Sequence, residues 1–167
     1  MIIAENEAEE YQQAEQKKQV YLARVNQLFG HIKTWLKDDA LQVEQQQIEV
    51  REKFTGTYTA PVLSIRTQTG QTLAEIKPKG AYIILAEGLV DIEGGFGREH
   101  ITYMVDGGPY SYRPQPENTD QLIKKPMFKG IDDNGWYWVE NSRLDRANTI
   151  NKEVFHDLIT VVSDYEF

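Results

Sequence analysis

The triplet Glu75-Ile76-Lys77 is the first place where residue type and spacing could do chemistry. Side chains two apart on a strand share a face, so Glu75 could hold a divalent cation while Lys77 positions an attacking water. That is the arrangement of a metal-dependent, nuclease-like enzyme. Such a site needs a further carboxylate from a preceding strand, yet residues 54–74 contain no Asp or Glu. The nearest upstream acids are Glu52, Glu49, Asp38 and Asp39. The plainer reading is an exposed pair of opposite charges on a strand.

The other reactive residues form no stronger pattern. His31, His100 and His156 fit neither H-x-x-x-H nor H-E-x-x-H, so the zinc-hydrolase signature is absent. His100 alone has carboxylate company in the sequence pattern, with Asp91, Glu93 and Glu99 on the same or neighbouring strands. A general-base or metal role there competes with a solvated strand end. Gly94, Gly95 and Gly97 are followed by Arg98-Glu99-His100, not by the Gly-Lys-Ser/Thr of a phosphate loop, and read as a turn. Asp132-Asp133-Asn134-Gly135 lacks the spacing of a calcium loop. Ser64, Ser111, Ser142 and Ser163 have no nucleophile-elbow context. The absence of cysteine excludes disulfides, thiolate metal sites and cysteine nucleophiles. No metal ion or other cofactor is expected from these motifs.

Aromatic residues suggest a different kind of work. Trp136, Tyr137 and Trp138 are consecutive, so a strand there must show an aromatic on each face. Tyr110 and Tyr112 precede them in a proline-rich stretch. Aromatics on loops and strand edges are favoured anchors of protein interfaces. The competing reading puts them in a core against the C-terminal helix. A base-stacking platform would want a basic groove beside them. Lys124, Lys125, Lys129, Arg143 and Arg146 are local, but residues 111–167 carry seven basic and ten acidic groups.

The whole chain repeats that balance. Its 167 residues hold 26 acidic and 18 basic side chains, a formal charge of −8, and the pI is about 4.9. This argues against phosphate-backbone binding and favours a basic protein partner. The expectation is a non-catalytic, acidic protein-interaction domain, such as an accessory subunit or an immunity- or antitoxin-like binder. Tyr110, Tyr112, Trp136 and Trp138 would be its contact anchors, and Asp91, Glu93 and Glu99 an acidic patch. The alternative is the metal-dependent enzyme built on Glu75 and Lys77.

The elements that must position these residues follow from periodicity. Tyr11, Ala14, Lys18, Tyr21, Val25, Leu28, Ile32 and Trp35 lie on one stripe of a helix from about Glu5 to Leu36. Leu22, Phe29 and Leu36 widen that stripe in the second half only. The first half is too polar for a core, so it should project or dock on something else, including a second copy of the chain. The middle reads as a meander of strands: Leu41–Phe54 with a bend at Gln45–Gln47, Thr57–Thr67, Gln71–Lys77, Tyr82–Ala86, a strand through Val90 and Ile92, and one through Ile101, Tyr103 and Val105. The Asn134-Gly135 pair predicts a hairpin between Met127–Ile131 and Trp136–Glu140. A last helix, capped by Asn151 or Thr149, turns Val154, Phe155, Leu158, Ile159, Val161 and Val162 toward the sheet.

The fold class expected is therefore α+β: an antiparallel meander sheet packed by a long N-terminal helix and a C-terminal helix. Residues 1–37 would form the helical arm and packing helix, and residues 38–167 the sheet with its C-terminal helix, in one compact domain overall. The longest apolar run, Ala81–Ala86, is six residues, against the roughly 20 that cross a bilayer. No basic, apolar leader pattern opens the chain. A cytoplasmic location without membrane contact is the expectation.

Overall fold

The computed structural model describes residues 2–83, 86–140 and 146–167. Ser142, Arg143 and the centre of the apolar run at 84–85 lie outside the described residues. Helix α1 (Ile2–Trp35) leads into strands β1 (Gln42–Glu52), β2 (Gly56–Arg66), β3 (Thr72–Gly80), β4 (Gly88–Gly94) and β5 (Gly97–Met104). A separate hairpin follows, β6 (Tyr110–Gln115) and β7 (Asn118–Pro126), before β8 (Gly135–Val139), β9 (Ala147–Thr149) and helix α2 (Lys152–Ser163). The main sheet has the order β1-β2-β3-β4-β5-β8-β9, and every pair of named strands is antiparallel. The class is α+β with a meander-like antiparallel sheet. Among the described residues no helix is long and apolar enough to cross a membrane.

One face of the sheet carries both helices. Tyr21, Val25, Leu28, Phe29, Ile32 and Leu36 of α1 meet Ile76, Val90, Ile92 and Ile101 of the central strands in one core. From α2, Phe155, Leu158, Ile159 and Val162 join them, while Val161, expected among them, stays exposed. Asn151 caps α2, its side-chain oxygen accepting from the Val154 amide at 2.9 Å. The ring of Tyr21 crosses the start of β4. Its hydroxyl donates to the Leu89 carbonyl at 2.6 Å and accepts from the Gly80 amide at 3.2 Å. Burial pushes that phenol above its ordinary pKa. A Cβ at Gly88 would lie 2.8 Å from the Tyr21 ring, which explains the glycine there.

Three expected elements differ. The glutamines 45–47 do not bend; they run through β1, paired with Pro61, Val62 and Leu63 of β2, and stay in water. Polar side chains on an edge strand need no kink to stay solvated. Among the described residues of Tyr82–Ala86 there is an isolated bridge from Ile83 to Ala86 but no strand. An apolar run on its own does not separate a strand from a buried connection. The Asn134-Gly135 hairpin is also absent. Neither residue has positive φ, which the tight type I′ turn requires. Instead β8 pairs with β5 and β9, and Asn134 accepts from the Asp106 amide at 2.7 Å.

Candidate functional site

The sheet face away from the helices is built by register. Glu75 and Lys77 of β3 stand opposite Glu93 and Asp91 of β4, which in turn oppose Arg98 and His100 of β5. Alternation sends Ile76, Val90, Ile92 and Ile101 inward, so all six charged residues share the outer face. There they satisfy one another. Lys77 sits 3.1 Å from Glu75 and 2.9 Å from Glu93. Arg98 lies 3.0 Å from Glu93 and 3.8 Å from Asp91, and Lys79 reaches both acids more loosely. Hydrogen bonds donated to Glu93 and Glu75 hold the Lys77 ammonium above its ordinary pKa, and the bond accepted from Lys77 holds Glu93 below its own.

Asp91 is the centre of this lattice. It is only 2% exposed, and its Oδ1 lies 2.5 Å from Nδ1 of His100, whose ring is solvent-facing. A buried carboxylate orienting an accessible imidazole is the pairing a general base uses. At the other candidate, the amine of Lys77 lies between the carboxylates of Glu75 and Glu93. Among the described residues, no three His, Asp or Glu side chains converge on a metal position. His156 also has a carboxylate, Asp39 at 2.9 Å, which sequence spacing did not reveal because the two are 117 residues apart.

The expected acidic patch divides between two faces. Asp91 and Glu93 belong to the outer lattice. Glu99 opposes Ile92, points to the helix side, and accepts from the Trp138 indole at 3.0 Å. Trp136 is similarly engaged: its indole donates to the Arg24 carbonyl of α1 at 3.3 Å, and its ring meets Tyr103 edge-on. Both tryptophans are half-buried against the main core. Tyr137, between them, points the other way into a small second core with Met104, Ile131 and Ala147.

Tyr110 and Tyr112 are placed quite differently. Gly107 and Gly108 take left-handed φ values of 83° and 66° in succession, which turn the chain out of the sheet after β5. Among the described residues, strands β6 and β7 then pair only with each other. The register puts Tyr110, Tyr112, Pro114, Leu122 and Lys124 on one face of this arm. Tyr112 is 62% and Leu122 65% exposed, and Lys124 stacks over Tyr110 at 4.0 Å. Pro114 and Pro126 within its strands discourage strand-to-strand addition, so the arm offers a face, not an edge. Leu122 carries no signal in the sequence alone; its place opposite Pro114 follows from the register.

A second exposed surface lies at the start of α1. Residues 4–13 are all exposed, and packing begins at Ala14. Tyr11, in the half of the helix expected to project, is 70% exposed. It lines a cleft together with Lys53, Phe54 and Tyr82. Compared with known proteins, the chain matches no family model, no curated protein and no solved structure.

Proposed function

We propose that this protein is a non-catalytic interaction domain, an accessory subunit or an immunity- or antitoxin-like binder whose partner is basic. The observation that carries the reading is the β6–β7 arm, whose strands pair only with each other among the described residues and which leaves Tyr112 and Leu122 largely exposed. A two-stranded hairpin gains little stability in isolation, so an arm with an apolar face is suited to being covered by something else. The charges that would support catalysis are, by contrast, consumed in pairing with each other. The formal charge of −8 adds long-range attraction to a basic partner and a salt-dependent on-rate.

The test begins with a tagged copy of the full chain, expressed in its native cell, with co-purifying proteins identified by mass spectrometry. The complex is then rebuilt from purified components and titrated calorimetrically. A one-to-one complex that weakens as NaCl rises from 50 to 300 mM is the expected result. A protein that associates with nothing when purified, or a turnover abolished by His100→Ala, would overturn the reading.

A further inference from the structure

The cleft between α1 and the β1–β2 turn is lined by Glu7, Glu10 and Tyr11 on the helix, with Phe54 and Tyr82 opposite, and has a volume of about 490 Å³. Its far wall is held in place by Glu52. The Oε2 of that carboxylate accepts from Tyr58 and from Thr55, and the Oε1 accepts from the Tyr82 amide at 2.9 Å. The turn and residue 82 are thereby fixed to one another, and the rings of Phe54 and Tyr82 stand 5.2 Å apart. Phe54 is 64% exposed at the tip of a turn, where it contributes nothing to the core. With Tyr11 it makes an aromatic surface open to water, a feature that monomeric proteins keep small unless it is used.

Two properties of this cleft say what fits it. Its aromatic faces already attract cations: Lys17 lies 4.3 Å from the Tyr82 ring centre and Lys53 5.7 Å from that of Phe54. Its helix wall is acidic, because Glu7 and Glu10 line it and form no ion pair with any described residue. Carboxylates beside aromatic faces suit a guanidinium, which can pair with the first and stack on the second. We infer that the Tyr11–Phe54–Tyr82 cleft is the docking site for an arginine-bearing segment of the basic partner. The inference rests on the proposed function and specifies one surface for it.

The ¹⁵N-labelled full chain is titrated with the hexapeptide Gly-Arg-Arg-Arg-Arg-Gly and, as a control, with Gly-Glu-Glu-Glu-Glu-Gly. The arginine peptide should shift amides concentrated at residues 7–14, 53–54 and 82, and the glutamate peptide should leave them unmoved. The double variant Tyr11→Ala/Phe54→Ala keeps the charge and removes only exposed rings, so its melting temperature should be unchanged. Its Kd for the arginine peptide should rise at least fivefold. Lys53→Glu, which removes the opposing charge in the cleft, should tighten binding. An unchanged Kd in the double variant, shifts centred on other acidic surfaces, or a cleft already filled by a second copy at working concentration would overturn the inference. If a reconstituted natural partner still bound with the cleft silent, the proposed function would stand and only this site would fall.

Discussion

The outer face of β3–β5 and the β6–β7 arm are both polar, both stranded and only a few residues apart in the chain, yet they end in opposite states. In the first, register sets Lys77 between Glu75 and Glu93 and seats Asp91 beneath His100, so the charges are answered within the domain. In the second, the backbone pairs with itself and the side chains of Tyr112 and Leu122 stay largely exposed. The difference teaches that charge density is a poor guide to function in this fold. Under the proposed function, the exposed face of the arm is the surface left for a partner.

Removing the centre of the lattice should have the largest effect on stability. Asp91→Ala leaves His100, Arg98 and Lys79 without their shared buried acid. Because those partners are partly solvated, the expected loss is about 2 kcal/mol, below the full cost of orphaning a buried charge. Urea denaturation measures it, and a loss under about 0.5 kcal/mol would mean that the lattice is ornamental.

The pH dependence should follow from the same cluster, with a smaller amplitude. The Glu93 carboxyl titrates below its unfolded range, so the stability it adds is present above about pH 4.3 and is lost as pH falls through its lower folded value. The Lys77 ammonium titrates above its unfolded range, so its contribution is complete below about pH 10.4 and disappears as pH rises through the higher folded value. Lys77→Met should flatten both limbs of the stability–pH curve, because each shift has the other residue as its main cause.

The smallest effect on stability should come from the arm. Tyr112→Ala combined with Leu122→Ala removes two exposed side chains and should shift stability by no more than about 0.5 kcal/mol. The same variant should weaken the reconstituted complex at least tenfold. A large stability loss with binding intact would reverse the comparison and make the arm structural.

Much of this architecture was legible in the residues, and its limits are instructive. The helices could be read because Tyr21, Val25, Leu28 and Ile32, then Phe155, Leu158 and Ile159, keep a period that only a helix buries on one side. The strands of the meander followed from alternation and from Gly- and Gln-containing turns. Tyr11 sits on the same stripe as Tyr21, but the polar residues around it marked that half of the helix as one that projects, and it is exposed. Asn134-Gly135 has the composition of a tight hairpin, but β8 found long-range neighbours in β5 and β9, whose pairing outweighs a local turn preference. Asp91, Glu93 and Glu99 read as one acidic patch because sequence proximity hides the alternation that sends Glu99 to Trp138. The cleft at Phe54 left one signal, a large aromatic beside Gly56 in a turn, where a core residue has no reason to be.

Hydrogen exchange on the reconstituted complex tests the central claim most directly. If the chain works by recognition, partner binding should slow exchange at residues 110–126 and leave residues 75–79 and 91–100 at their free-state rates. Protection confined to the β3–β5 lattice, with the arm exchanging as fast as before, would contradict it.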